Sequence, residues 1–170
     1  MKVRALILAA ALAFSASFAT MASAQSASRQ VLGPIWIPVT NSPQALQSLQ
    51  VHAPAAGNLI ITVTGTVNYE HTAGTAGNWC LQLSYVAANV GGCVPDAGSD
   101  SAIRDYIAAA VATTTPGFGT STPYSIVRSY PATAGDNYTF YLNGYQSGLN
   151  NTWLFQPSIT AVFVQDTLQP

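Results

Sequence analysis

Apolar and polar residues alternate along much of the chain after residue 57. Between 57 and 68, Leu59, Ile61, Val63 and Val67 alternate with threonines and Asn68. A period of two with many β-branched residues predicts a long, half-buried strand. Residues 79–85 repeat the pattern and predict a second strand, and the Gly-, Thr- and Ala-rich stretch 71–78 between them predicts a loop.

The same alternation continues to the end of the chain. It predicts strands over 124–130 and 138–142, joined by a turn at 134–137, and a polar loop over 143–151. Strands over 153–155 and 158–165 close the chain. Because the last strand carries apolar residues on both sides, with Val162 and Val164 opposite Ile159 and Phe163, it is predicted to be covered on both faces.

Two segments break the pattern. Over 101–112, Ile103, Tyr106, Ile107 and Val111 follow a helical spacing next to an alanine run, which predicts a short helix and leaves an extended alternative open. Residues 25–56 contain four prolines and are predicted to be irregular, apart from one short strand around Trp36, and to pack on the domain formed by residues 57–170.

At least six strands with little helix predict an all-β fold, an antiparallel β-sandwich of about 8–10 strands. The run from Tyr124 to Leu142, with its Ala134-Gly135-Asp136 turn, and the ending Pro157 to Val164 resemble the jelly rolls of the tumour-necrosis-factor and complement-globular-head family. The resemblance covers the last third of the chain, which lacks the family's usual Phe-x-Gly-x-Leu ending. It implies a jelly-roll sandwich that forms trimers through aromatic faces.

The N-terminus has the three parts of a secretory leader. Lys2 and Arg4 precede an apolar run over 5–18, and Ala22-Ser23-Ala24 forms a cleavage signal. The run is shorter than the ~20 residues that span a bilayer, and no other stretch is long and apolar enough. We therefore expect a signal peptide over 1–24 cleaved near Ala24, and a bacterial protein that is periplasmic or secreted.

Charge is scarce, at 6% of the residues. Beyond the leader there are three arginines, no lysine and six acidic residues, which makes the formal net charge −3. Three basic residues cannot form the basic stripe that a nucleic-acid-binding protein needs. A surface with so few charges repels its own copies weakly, so the sequence predicts a homo-oligomer, and the family resemblance implies a trimer.

The two cysteines, Cys80 and Cys93, fit an exported protein. A disulfide between them is favoured over free thiols or a metal site, because the chain has no C-x-x-C motif and neither histidine lies nearby in sequence.

The sequence offers little for catalysis. His52 and His71 are the only histidines and are predicted to be structural, so the chain is expected not to be an enzyme, with a hydrolase as a minor alternative. Asp96, Asp100 and Asp105 are a candidate calcium cluster, but they lack the spacing of a calcium loop and are better explained as a solvated loop. No cofactor or metal is predicted.

Aromatic residues are the most suggestive feature. Exposed tyrosine and tryptophan rings stack on sugars, while amide side chains bond the hydroxyl groups. The commoner alternative is a core or subunit interface. We therefore expect a binding or assembly module, and alternatively a carbohydrate-binding or lectin-like protein. The candidate ligand-binding residues are Tyr141, Asn143, Tyr145, Asn150, Asn151 and Trp153.

Overall fold

The computed structural model describes residues 29–33, 36–93, 102–112 and 119–165. The predicted leader over 1–24 lies outside these residues. Within them the secondary structure consists of nine strands and one 3-10 turn at Gly91–Cys93, with no helix long and apolar enough to cross a membrane. The strands are β1 (Arg29–Leu32), β2 (Trp36–Pro38), β3 (Gln44–His52), β4 (Gly57–Glu70), β5 (Gly77–Ser84), β6 (Ala102–Ile107), β7 (Thr120–Ala132), β8 (Asn137–Ser147) and β9 (Asn151–Gln165).

The strands form two antiparallel sheets. The five-stranded sheet has the order β1-β9-β4-β7, with β2 also paired to β9, and the four-stranded sheet has the order β3-β8-β5-β6. Apart from the β5–β6 hairpin, each connection from β3 to β9 passes from one sheet to the other. This connectivity is that of a jelly roll, so the predicted antiparallel β-sandwich is confirmed.

The core lies between the sheets and follows the period-two pattern. On β4, which is central in its sheet, Leu59, Ile61 and Val63 are fully buried, and the facing four-stranded sheet contributes Trp79 and Phe140. Burial of such side chains stabilises a fold by about 1.5–3 kcal/mol each. The long predicted strand is confirmed because its alternate positions are the ones the sandwich buries.

β9 is one strand where the sequence predicted two. A register shift relative to β4 falls between Thr64 and Thr66, and Gln156 has a φ of 46° at that point of β9. This irregularity accommodates Pro157 within the strand, and β9 pairs with β4 on both sides of it, at Phe155 and at Ser158. The prediction that the end of β9 is covered on both faces is wrong for the single chain, since Val162 is 37% and Val164 44% exposed.

The helix predicted over 101–112 is wrong. Residues 102–107 form the edge strand β6, which pairs with β5 from Gly77↔Ile107 to Gln82↔Ala102. Ile103 and Ile107 are four residues apart, and residues at that spacing lie on the same face in a helix and in a strand alike. The free edge of β5 provides backbone hydrogen bonds, so pairing overrides the local helical preference.

The irregular segment predicted over 25–56 is wrong for residues 44–52. These residues form the edge strand β3, with Leu49 and Val51 buried against the core. A strand at an edge tolerates the flanking prolines, because only one side of it is hydrogen-bonded to a neighbour. The short strand predicted around Trp36 is confirmed as β2.

The polar loop predicted over 143–151 is also wrong in extent. β8 continues to Ser147 and β9 begins at Asn151, so the connection is only Gly148, Leu149 and Asn150. Gly148 has a φ of 68°, and a Cβ there would lie 2.2 Å from the Ala76 carbonyl oxygen. Leu149 is buried against Gly77, so apolar packing turns a polar-looking segment into a tight connection.

Candidate functional site

The structure separates the predicted ligand-binding residues. Tyr141, Asn143 and Tyr145 lie on β8 in the four-stranded sheet. They point away from the core, because they alternate with Phe140 and Leu142, which point inwards. Asn151 and Trp153 lie on β9 in the five-stranded sheet, and Asn150 lies in the connection between the two strands. The residues therefore do not form one surface.

Three of these side chains make contacts within the chain. Asn150 donates from Nδ2 to the Thr72 hydroxyl at 2.7 Å, and Asn151 donates from Nδ2 to the Glu70 carboxylate at 2.7 Å. Asn143 is fully buried although it is on the outer side of its sheet. Its burial requires something to cover it.

The covering segment, residues 85–93, folds over the outer face of the four-stranded sheet. Asn143 holds it through three hydrogen bonds: Oδ1 accepts from the Ala88 amide at 2.8 Å, and Nδ2 donates to the carbonyl oxygens of Val86 at 2.9 Å and Asn89 at 3.1 Å. A buried amide that is fully bonded in this way is stabilising, whereas an unbonded one is costly.

A disulfide holds the far end of the covering segment. Cys80 on the outer side of β5 is bonded to Cys93, with a Cα–Cα distance of 5.9 Å, as the sequence predicted. The bond lies beside Tyr145, which pairs with Cys80 across β5 and β8. The covering segment is thus attached by one covalent bond and one buried amide.

A cleft of about 400 Å³ opens where the covering segment ends. Strand register places Asn78 opposite Tyr106 and Cys80 opposite Arg104, all on the outer side of the sheet. Tyr106 is 70% exposed on the edge strand β6. The outward side chains that line the cleft are Asn78, Cys80, Cys93, Arg104, Tyr106 and Tyr145.

Two residues that line the cleft carry buried polar atoms. Asn78 Oδ1 and Trp79 Nε1 are buried and have no hydrogen-bond partner among the described residues. Arg104 is oriented by a 3.4 Å contact from Nη1 to the Cys93 carbonyl oxygen. The cleft therefore combines two phenol rings, a guanidinium group and a carboxamide oxygen that lacks a donor.

The outer face of the five-stranded sheet has a different character. We call it the open face: the outward residues of 58–66 on β4, 123–131 on β7 and 153–164 on β9, with Trp36 on β2. In these three ranges Arg128 is the one charged residue. It lies two positions after buried Ile126 on β7, so both are on the inner side of the sheet. The open face is therefore built of uncharged residues, and Val127 on it is 54% exposed.

Aromatic rings occupy one end of the open face. Trp36 is 52% exposed, and its ring centroid lies 4.7 Å from that of Phe155. Trp153, one of the predicted ligand-binding residues, lies two positions before Phe155 on the same side of β9 and pairs with Pro38. An exposed apolar area of this kind, without charges, is characteristic of interaction surfaces.

A tyrosine cluster closes one end of the sandwich between the sheets. Tyr85, the first residue of the covering segment, lies 4.8 Å from Tyr130 and 4.9 Å from Phe140 between ring centroids. Tyr85 is 42% exposed, and partial burial of its phenol, reinforced by the neighbouring Tyr130 and Tyr138, raises its pKa to about 12. Burial also raises the pKa of Tyr130, although Arg128 opposes the shift.

The histidines lie away from the cleft. His71 is buried, and its Nδ1 and Nε2 lie 2.6 and 2.5 Å from the carbonyl oxygens of Val111 and Thr75, which ties the β4–β5 connection to the residues after β6. His52 lies at the end of β3 with Nδ1 3.3 Å from Asn137 Oδ1.

Two of the three residues of the calcium alternative lie outside the described part of the chain. Asp96 and Asp100 lie outside the described residues, while Asp105 is on β6. Within the described part of the chain, no three His, Cys, Asp or Glu side chains are grouped so as to hold a metal ion.

Sequence reasoning missed Asn78, Arg104 and Tyr106. The helix predicted over 101–112 hides positions 104 and 106, because only a strand places both of them on one outward face. Their alternation with the inward residues Ile103 and Ile107 is the signal that indicates a strand with one polar face. Tyr145 is the predicted ligand-binding residue that the structure does place in the cleft.

Comparison with known proteins adds little about this chain. No protein-family model matches it, and no curated protein matches it. Among solved structures it is similar to the T13 particle protein of infectious bursal disease virus, with 12% identity over 79% of this chain and a TM-score of 0.45, and it spans 30% of that viral chain. It is also similar to the Eiger TNF of S. frugiperda, with 13% identity over 84% of this chain and 95% of that one, and a TM-score of 0.40. Such distant likenesses carry no argument about function.

Proposed function

We propose that this chain is an exported, non-enzymatic assembly module that self-associates through the open face. The observation that carries the proposal is the exposure of Val127, Val162 and Val164 on a broad sheet face with no outward charge. The sequence of β9 is that of a strand covered on both sides, yet the single chain covers only one. A partner on the open face supplies the missing cover.

A second copy of the chain is the partner that fits this face. A face without charges offers no electrostatic complementarity to a charged protein, whereas two such faces meet without unpaired charge. With no lysine and a net charge of −3 after residue 24, the chain also repels its own copies weakly. Two open faces related by a two-fold axis would bury the same valines against each other.

The size of the open face is close to what a stable dimer needs. Its β4 part, residues 58–66, is nine residues long, which at ~3.3 Å per residue gives a length of about 30 Å. Four strands spaced by ~4.8 Å give a width of about 19 Å, so the flat area is roughly 570 Å² per copy. Specific interfaces bury about 600–1,000 Å² on each partner, and projecting side chains make the accessible surface larger than the flat area.

The extracytoplasmic setting rests on two features. The disulfide between Cys80 and Cys93 is stable in an oxidising compartment. The leader pattern over 1–24 supports export to the periplasm or beyond the cell.

The test measures the mass of the exported, purified protein by light scattering after gel filtration. We expect an oligomer for the unmodified chain, and monomers for Val127→Lys combined with Val162→Lys, because two buried lysines without partners oppose association. Ala45→Lys adds a charge to exposed β3 of the other sheet and should leave the oligomer intact. The mass also separates a two-fold dimer from the trimer that the family resemblance implies.

Two results would overturn the proposal. One is a monomer for the unmodified chain at concentrations of about 100 μM, since a standard-size interface binds more tightly than that. The other is an unchanged oligomer in the double lysine variant, which would put the interface elsewhere. Circular dichroism of each variant confirms that the sandwich is folded.

A further inference from the structure

We infer that the cleft between the covering segment and strands β5, β6 and β8 is a binding site for a saccharide. This site is on the opposite side of the sandwich from the open face, and its occupancy does not depend on self-association. The volume of about 400 Å³ falls in the range of small-ligand sites, which is ~300–1,000 Å³.

The buried carboxamide oxygen of Asn78 is the first argument. Buried polar atoms in folded proteins nearly always have a partner, and an orphaned one is costly. Asn78 Oδ1 has none among the described residues and is closed off from solvent, while Asn78 itself lines the cleft, so a turn of its side chain would expose this oxygen to a ligand. The missing group is a hydrogen-bond donor, such as a sugar hydroxyl.

The tyrosines supply the second part of the chemistry. Tyr106 and Tyr145 are on strands β6 and β8, on either side of β5, and both line the cleft. Tyr106 is 70% exposed, which is a large exposed fraction for an aromatic ring on an edge strand. The apolar face of a sugar ring packs on such a phenol, whose hydroxyl remains able to bond a second sugar hydroxyl.

Arg104 sets the orientation of the ligand. Its guanidinium group borders the cleft, and the bond to the Cys93 carbonyl oxygen directs it from β6 towards the covering segment. Guanidinium is a donor fork that bonds hydroxyl oxygens and pairs with carboxylates. The cleft therefore presents donors and an acceptor to a ligand that has both kinds of group, as saccharides do.

Self-association would make the site multivalent. Because the open face and the cleft are on opposite outer faces, an oligomer built through the first leaves the second exposed. Two linked weak sites bind a repeating glycan more strongly than one site does. A monomeric chain would still bind a single saccharide in the cleft, so the two proposals fail separately.

The test uses an array of immobilised neutral and acidic oligosaccharides, followed by titration of the strongest free oligosaccharide. We expect binding by the unmodified chain and a loss of about tenfold or more in affinity for Tyr106→Ala and for Asn78→Leu. Tyr106→Phe keeps the ring and should retain most of the affinity. Ala45→Lys, on exposed β3 and outside both the cleft and the open face, should leave saccharide affinity unchanged.

Asn78→Leu also separates a binding role from a structural one. Removing an unpartnered buried acceptor should leave the free energy of unfolding unchanged or raise it, whereas a structural asparagine would lose stability when substituted. Arg104→Gln should weaken acidic saccharides more than neutral ones. An array without hits, or hits that persist in both Tyr106→Ala and Asn78→Leu, would overturn the inference.

Discussion

The two outer faces of this sandwich differ in how far a segment of the chain covers them. The outer face of the four-stranded sheet is partly covered by residues 85–93, which are held by the Asn143 amide and the disulfide at Cys93. Among the described residues, no such segment lies over the valines of the open face of the five-stranded sheet, and Val127 is 54% exposed. One face receives its cover from the chain itself, while the other leaves apolar side chains exposed.

The difference shows what each face is suited to do. A segment attached at two points creates a concave edge, and concavity with a few polar groups is the usual setting of a small-ligand site. A flat, uncharged face lacks such a recess and suits a broad contact with another flat surface. The two proposed interactions therefore use opposite faces of the jelly roll, and each is tested without the other.

The largest effect is expected from removing the amide that holds the covering segment. Asn143→Leu breaks three hydrogen bonds and leaves backbone groups of residues 86–89 without partners, so we expect a loss of about 3 kcal/mol in the free energy of unfolding. Urea unfolding followed by tryptophan fluorescence measures it. Asn150→Ala, at an exposed position with one side-chain bond, should cost about 1 kcal/mol. Equal losses in the two variants would mean that Asn143 does not hold the segment.

A similar loss in the free energy of unfolding is expected from removing the disulfide. The cysteines are 13 residues apart in sequence, and closing a loop near this size stabilises a fold by about 3 kcal/mol in the chain-entropy model. We therefore expect the paired Cys80→Ser and Cys93→Ser variant to unfold at lower urea concentration while it keeps its oligomeric mass. Loss of the oligomer in a variant that is still folded would contradict the independence of the two faces.

A smaller effect is expected from ionising Tyr85, where the covering segment begins. Because burial and neighbouring tyrosines raise its pKa to about 12 in the folded chain, above the ordinary value of about 10, the protonated phenol contributes stability below pH 10. That contribution is lost as the pH rises from 10 to 12. Absorbance at the tyrosinate band, recorded with circular dichroism, should show late titration, and Tyr85→Phe should remove one late-titrating group. Complete titration near pH 10 in the folded protein would contradict this environment.

The smallest effect on folding is expected on the open face. Val162→Thr keeps a β-branched side chain at a position that is 37% exposed, so the free energy of unfolding of the monomer should change by less than about 0.5 kcal/mol. The same substitution should weaken self-association measurably in dilution experiments. A large loss of monomer stability would mean that the face already packs within the chain.

The elements that could be predicted are those whose pattern is local. Residues 57–68 alternate so regularly that only a half-buried strand accommodates them, and β4 has that form. The cleft could not be predicted, because its walls come from β5, β6, β8 and the covering segment, and because β6 was assigned to a helix. Asn143 was predicted to bind a ligand on the basis of its residue type, but its burial depends on residues 85–93, which are more than 50 positions away.

By itself, the sequence determined the β character of the chain, the inward side of its long strands, the pairing of its two cysteines and the scarcity of charge. These properties follow from composition and from a period of two, which are both local. The tertiary structure decided that residues 102–107 are a strand, that β8 extends to Ser147, and which aromatic residues lie in the core and which lie on an outer face. Those outcomes depend on pairing and packing between distant segments, whose free energies exceed local preference and cannot be assigned before the neighbours are known.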